Sequence, residues 1–498
     1  MSGKKVIIIG AGIAGLSAGC YLQMNGYETE IFELHNLPGG LCTSWKRKGY
    51  TFDGCIHSMS GLNPAFKQYR YWNELIEMEK MQFHYHAVLS QVEDAGGKTV
   101  VFHTDPDKLQ QELTAIAPED TDFINGFIRD VKHLAKFDTQ LSKPIELWTP
   151  FDYYFSQFRT GPYMGCLTRW GKSLTEMVKV CKRPLLRKVL DSDFFSHFPA
   201  YFLLFSIGHM HNRNAGYPIG GSLLLARAIE QKYISLGGKI HYNARVTRIM
   251  VEKGRAVGVT LENGETHTGA SAVIPAADGY DTIYRMLEGK YVNKKIEDLY
   301  SRHPMWPSAV LVSLGISRPM QAEPSQLELW LKEPLVVDER SALSAVTVTV
   351  YNFDSTLAAP GKTCVRVILK TGNYTFWRDL REKDPRQYAQ EKERVARAVI
   401  DILDKRFGNI KKHVEVVDVA SPATFLRYTN NWKGSTEGWD WLPGLIPETI
   451  KKVLPGLKGF YMIGQWTMPG GGVSTAQTAG RDIARIICHK DHKKFLAE

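Results

Sequence analysis

The chain has 498 residues, 44% of them hydrophobic, with a formal charge of +10 and a mean hydropathy of −0.24. That length exceeds a single hydrophobic core and predicts two or three domains, while no apolar run reaches the roughly 18 residues of a spanning helix. The basic excess, part of it in the tail His489-Lys490 to Lys493-Lys494, fits an anionic membrane surface or plain solubility; nucleic acid is disfavoured, since no zinc-finger or RNA-binding signature accompanies it.

Val6 to Ile9 read as a strand buried on both faces. Gly10, Gly12 and Gly15 follow at dinucleotide-binding spacing. The first serves the tight turn, the second the close approach of backbone to a pyrophosphate, and the third helix–strand packing. The helix that starts there offers unpaired N–H groups and a positive dipole end to phosphate. Thr29 to Phe32 reads as the second strand and ends at Glu33, near the position, roughly 20 residues on, expected for a ribose-binding carboxylate. Glu33 would repel a 2′-phosphate, which disfavours NADP. A secretory signal is the competing reading of Lys4-Lys5 and the apolar run, but glycines break the run and no cleavage site follows. The seven cysteines (Cys20, Cys42, Cys55, Cys166, Cys181, Cys364, Cys488) are scattered and form no C-x-x-C pair. They argue against a disulfide framework or zinc site and for a reducing, cytoplasmic location.

Next come Gly39-Gly40-Leu41-Cys42, Gly49-Tyr50-Thr51-Phe52-Asp53 and Phe52-Asp53-Gly54-Cys55-Ile56-His57. This stretch resembles the flavoprotein superfamily of phytoene desaturases, carotenoid isomerases, retinol saturases and, more distantly, amine oxidases. In that group a glycine pair after the ribose acid marks FAD, and a G-[FY]-x-F-D segment follows. Leu41 departs from the arginine common in desaturases and amine oxidases, which leans toward the isomerase and saturase branches. Gly220-Gly221, the helix after them and Val246 resemble the family's second FAD segment, with Val246 facing the adenine. Gly464, Gly471, Gly472 and Val473 resemble its terminal segment, in which the last helix points at the flavin. The resemblance implies an α/β fold: a discontinuous Rossmann-type FAD-binding domain (1–62, 216–282 and 455–490) with an inserted α+β substrate-binding or lid domain on a mixed sheet (63–215 and 283–454). It assigns Gly10, Gly12, Ala14, Gly15, Glu33, Leu34, Gly39, Gly40, Leu41, His57, Val246, Gly464, Gly471, Gly472 and Val473 to FAD.

The segment from about Leu62 to His211 is aromatic-rich and reads as irregular. Lys172 to Leu190 alternates apolar and basic positions at helical spacing, with Pro184 as a kink or restart. With Phe194-Phe195 and the run Phe198 to Phe205 it is the candidate for peripheral membrane contact; a two-helix lid with a solvated basic face is the competing reading. Strands are expected at Val246 to Val251, Ala256 to Leu261, Ala272 to Asp278, Val310 to Gly315, Val346 to Val350 and Val365 to Leu369. Gln387 to Phe407 is expected to form a charged, solvated helix. His84-Tyr85-His86 and His209-Met210-His211 would each share a strand face, but no further ligands accompany them, so no metal is expected.

The family resemblance implies an oxidoreductase acting on carbon–carbon double bonds of a long polyene, isoprenoid or unsaturated lipid, by saturation, desaturation or isomerisation. His57, Tyr428 and Glu437 are the candidate proton-transfer residues. An amine- or porphyrinogen-oxidase-like flavoprotein and a non-catalytic, flavin-bound lipid carrier are the alternatives. One G-x-G-x-x-G leaves electrons to an electron-transfer partner, another small molecule or transiently bound NAD(P)H.

Overall fold

The computed structural model describes residues 3–191, 196, 198–443, 449–468 and 470–497. Its first layer is a parallel sheet in the order Lys239–His241, Glu28–Phe32, Lys5–Ile9, Ala272–Pro275. Val6, Ile7 and Ile8 are wholly buried, as a parallel strand covered on both faces requires. The segment at Gly459–Ile463 runs beside Ala272–Pro275, with Val273 N–H donating to the Gly459 carbonyl and Tyr461 N–H to the Val273 carbonyl. Helices Ile13–Met24, Ser222–Ser235 and Val473–Lys490 pack together on one side of the sheet. A three-stranded antiparallel layer, Val246–Glu252, Arg255–Leu261 and Thr266–His267, buries Val246, Ile249 and Val259 against Ile7, Ile9 and Val273 on the other.

The second large element is a seven-stranded mixed sheet, in the order Val414–Ala420, Ser308–Ile316, Thr363–Thr371, Ser341–Val350, Gln326–Asp338, Val88–Glu93, Thr99–His103. All its pairings are antiparallel except Gln326–Asp338 with Val88–Glu93. One face carries Val310, Val312, Leu314, Val365 and Val367 into a core with Val395, Val399 and Leu403 of the helix Pro385–Phe407. That helix is therefore not solvated all round. The opposite face turns toward the nucleotide-type layers, where Arg366 donates to the Asp53 carbonyl at 2.7 Å.

Three expectations change here. The stretch 62–211 is not irregular: it supplies two strands of the large sheet and the helices Pro106–Ile116, Thr121–Leu134, Pro150–Arg169 and Tyr201–His211. His209 and His211 thus lie on a helix, not a strand. Lys172 to Leu190 breaks into Leu174–Met177, a 3₁₀ turn and a helix restarted by Pro184, and its apolar residues Leu174, Val178, Cys181, Leu186 and Val189 point inward. Leu203, Leu204 and Ile207 are buried in the same core, and Phe198 stacks on Trp306. Phe194 and Phe195 lie outside the described residues. Among the described residues no helix is long and apolar enough to cross a membrane.

Candidate functional site

The parallel sheet ends in an open cleft lined by the strand ends at Ile9 and Phe32 and by the glycine turns at Gly10–Gly12, Gly39–Gly40 and Gly471–Gly472. Its position outside the carboxyl ends of parallel strands is where open α/β sheets bind ligands. Gly10 N–H donates to the Phe32 carbonyl, and the helix Ile13–Met24 begins at Gly12 with no side-chain cap. Its first N–H groups therefore face the cleft as a ready anion site. A Cβ on Gly15 would collide with the Gly10 carbonyl, so only glycine lets the helix sit this close to the turn. Gly39 has φ +105° and would clash with the Cys42 carbonyl if it carried a side chain. Its N–H donates to the Ala11 carbonyl at 2.8 Å, which lays the Gly39–Gly40 turn along the Gly12 backbone.

Thirteen of the residues expected at the cofactor line this cleft: Gly10, Gly12, Ala14, Glu33, Leu34, Gly39, Gly40, Leu41, Val246, Gly464, Gly471, Gly472 and Val473. Gly15 stands behind it as a packing residue. At one rim the buried Glu33 carboxylate accepts from Ala11 N–H at 2.6 Å and His35 N–H at 2.9 Å. These occupy two of its roughly four acceptor positions and leave the others for a ligand hydroxyl. Burial holds the Glu33 pKa above the usual carboxylate range, against those two hydrogen bonds. Tyr428 meets His35 edge-on at 4.8 Å. Tyr428 thus lines the cleft beside the Glu33 rim and is 39% exposed.

At the start of the helix Val473–Lys490, which also lacks a side-chain cap, Glu437 reaches over the glycine turn. Gly472 N–H donates to its Oε2 at 3.0 Å, and any Cβ on Gly471 would strike that oxygen. Burial raises the Glu437 carboxyl to about 7, with the Gly472 N–H opposing. A carboxyl with that pKa stands about equally protonated and ionised at neutral pH, the condition that suits proton transfer.

His57 does not line the cleft. Arg366 Nη2 lies 3.2 Å from its Nδ1 and 3.3 Å from its Nε2. Burial first, then the Arg366 charge, hold its pKa down to about 3, so it is a neutral imidazole bonded to arginine and not a cationic acid on the cofactor. His57 thus stands against Arg366, apart from the residues that line the cleft.

Several cleft residues escape sequence reasoning: Cys55, Arg245, Asp278, Asp281, Met286 and Asn431. Asp278 is buried, accepts from Asp281 N–H at 2.7 Å and Trp432 N–H at 2.8 Å, and is raised to about 7, chiefly by burial. It ties the turn Trp432–Gly434 to the π-helical stretch Asp281–Met286, a form often found at functional sites. The one sequence signal was a charged residue at the end of an otherwise apolar strand. Among the described residues no group of three or more His, Cys, Asp or Glu side chains has metal-binding geometry.

The donor set fits a flavin dinucleotide. Two helix N-termini and the Glu33 carboxylate, with acceptor positions to spare, face one cleft. At Gly464 and Gly472 a Cβ would meet nothing within 4 Å, and at Gly12 only the Gly39 carbonyl at 4.0 Å; all three leave the cleft itself open. The chain matches the flavin containing amine oxidoreductase family over residues 13–488. It is 25% identical to the chloroplastic prolycopene isomerase of Arabidopsis thaliana, across 95% of this chain and 81% of that protein. It is also 25% identical to the all-trans-retinol 13,14-reductase of Danio rerio, across 97% and 86%. An oxidoreductase structure from Methanosarcina mazei superposes with a TM-score of 0.59 at 16% identity, covering 97% of this chain and 100% of that one. The chain belongs to the flavin-containing amine oxidoreductase family and is an FAD-dependent oxidoreductase.

Proposed function

We propose that the enzyme saturates, desaturates or isomerises a carbon–carbon double bond of a long hydrophobic polyene, isoprenoid or unsaturated lipid. The observation that carries this is likeness, over at least 95% of the chain, to two enzymes whose names specify polyene substrates. FAD, when bound, supplies the hydride chemistry. The protein binds, orients and handles the proton. Gly10, Gly12, Ala14 and the helix N–H groups hold the pyrophosphate, Glu33 holds the ribose, and Leu34 and Val246 flank the adenine. Gly39, Gly40 and Leu41 cover the middle of the cofactor, and Gly464, Gly471, Gly472 and Val473 cradle its ring system. Glu437 keeps a proton available beside that cradle. Tyr428 serves the nucleotide end, and His57 positions Arg366.

For saturation electrons enter, and for desaturation they leave, by an electron-transfer partner, a quinone or another small molecule, or transiently bound NAD(P)H, since the sequence has one G-x-G-x-x-G. Membrane contact belongs to the same reading, but through a different element from the one the sequence favours. Phe151, Tyr154, Phe155 and Phe158 on the helix Pro150–Arg169 are all more than 60% exposed and share one face.

The test is anaerobic: reduce the flavoprotein chemically, then add carotenoid, retinoid and unsaturated fatty-acid lipids in turn. Reoxidation by one class, or a desaturated or isomerised product from the oxidised enzyme, is expected. No change in flavin or lipid with any class overturns the proposal.

A further inference from the structure

Beyond Cys55 the chain continues to His57 and a cluster of polar side chains buried between the large sheet and the nucleotide layers. Arg366, on the strand Thr363–Thr371, is 2% exposed. Its Nη1 donates to the Asp53 carbonyl and its Nη2 contacts the His57 ring, while its Nε has no partner. Among the described residues Arg366 makes no ion pair within 4 Å. Asp53 is already committed: its carboxylate accepts from Tyr217 hydroxyl, Ser222 N–H, Ser222 hydroxyl and Cys55 N–H.

Three neighbours share this unmet capacity. Ser313 is the register partner of Arg366 on the adjacent strand, so both side chains stand on one sheet face; it is 1% exposed and its Oγ has no partner. The Tyr351 ring lies 5.6 Å from the Arg366 guanidinium carbon, and its hydroxyl has no partner. Phe353 links Tyr351 to His86, at 5.7 Å and 4.8 Å, and neither ring nitrogen of His86 has a partner. Internal water can serve hydroxyls and imidazoles. The Asp53 carboxylate, whose charge also reaches Tyr351, balances part of the guanidinium charge but is held by four other donors and makes no ion pair with it, which leaves Arg366 able to take a second anion.

We propose that this cluster anchors the carboxylate end of the substrate, which makes the substrate a polyene acid or unsaturated fatty acid and not a hydrocarbon or alcohol. A carboxylate offers about four acceptor positions, and a guanidinium is the side chain that matches it best. Tyr351 and Ser313 hydroxyls complete its shell, with His57 orienting the arginine. This rests on the hydrophobic substrate proposed above.

The experiment titrates the FAD-loaded enzyme with all-trans-retinoic acid, its methyl ester and retinol, and with linoleic acid and its methyl ester, following the flavin visible band. At least one acid should bind about tenfold more tightly than its ester, the discrimination expected of hydrogen bonds to a charged group. Arg366→Gln should abolish the preference. Tyr351→Phe and Ser313→Ala remove only hydroxyls without partners, so they should fold normally and reduce the preference severalfold. Equal binding of acid and ester overturns the anchor but leaves the polyene reading standing. No binding of any of these compounds also overturns the anchor, and a carotenoid titrated in the same way then decides whether the polyene reading stands. An acid preference that survives all three variants also overturns the anchor. So does sodium acetate reproducing the full band shift, because the site would then hold a free anion and not a substrate terminus.

Discussion

Glu437 and Glu33 are both carboxylates bonded to backbone N–H groups in one cleft, yet they face different tasks. Glu437 has a pKa of about 7, so it is protonated below neutrality and loses its proton as pH rises through about 7. If it delivers a proton, the rate of double-bond reduction should fall above that pH. Glu437→Gln should remove the inflection and slow the step about 10²–10⁴-fold, read from anaerobic reoxidation between pH 5 and 9. Glu33→Ala removes the carboxylate proposed to hold the ribose and strands Ala11 and His35 N–H groups, and should weaken FAD binding by about tenfold or more, measured by flavin fluorescence. Gly15→Ala drives a Cβ into the Gly10 carbonyl. It should destabilise the protein at the upper end of the roughly 1–3 kcal/mol typical of overpacking, seen in thermal melts of the apoprotein. These glycines and Glu33 were legible in the sequence because their spacing encodes a local backbone path. Arg245, Asp278 and Arg366 were not, because each acquires its setting from a partner segment more than 150 residues away in the chain.

Among the elements, helices and strands with clean periodicity were readable, and those whose pattern is interrupted were not. Val246–Glu252 and Arg255–Leu261 form the hairpin that alternation around Lys253-Gly254 predicts. The thirteen-residue strand Gln326–Asp338 left no such trace. It carries Pro334 and charged positions, and its register breaks between Trp330 and Leu335, as a proline within a strand requires. The helix Pro150–Arg169 shows the same limit for surfaces. Aromatic density was visible there, but its outward direction depends on how few of its residues find partners, with Cys166 alone fully buried. Replacing Phe151, Tyr154, Phe155 and Phe158 with serine should abolish flotation with anionic liposomes while leaving FAD content unchanged. Retained flotation would send the membrane contact elsewhere.

Across the whole molecule, buried ionisable groups shift in opposing directions and together set a stability window. Asp278 and Glu437 are raised to about 7 and Asp482 to about 6, each chiefly by burial. The folded state therefore binds more protons than the unfolded chain from the ordinary carboxylate range up to about pH 7, and their contribution to stability is lost as pH rises through that window. His57 and His86 are lowered to about 3 and 4, again by burial first. The folded state there binds fewer protons, so their contribution is lost as pH falls below the usual histidine pKa of about 6.5. Among these groups the three carboxyls outweigh the two imidazoles from about pH 4 to 7, so denaturant unfolding of the apoprotein should show stability falling as pH rises through that window. Asp278→Asn should flatten that fall.

The sequence by itself determined the cofactor class and the three segments that line its cleft, because a dinucleotide is gripped mostly by backbone, and backbone geometry is written in glycine spacing and strand–turn–helix order. Tertiary structure alone decided which side chains stand at the chemistry, which face of the protein is apolar, and where a charge is left buried. Those properties arise when distant segments such as Asp53, His57 and Arg366 are brought within hydrogen-bonding reach, and no local pattern specifies that.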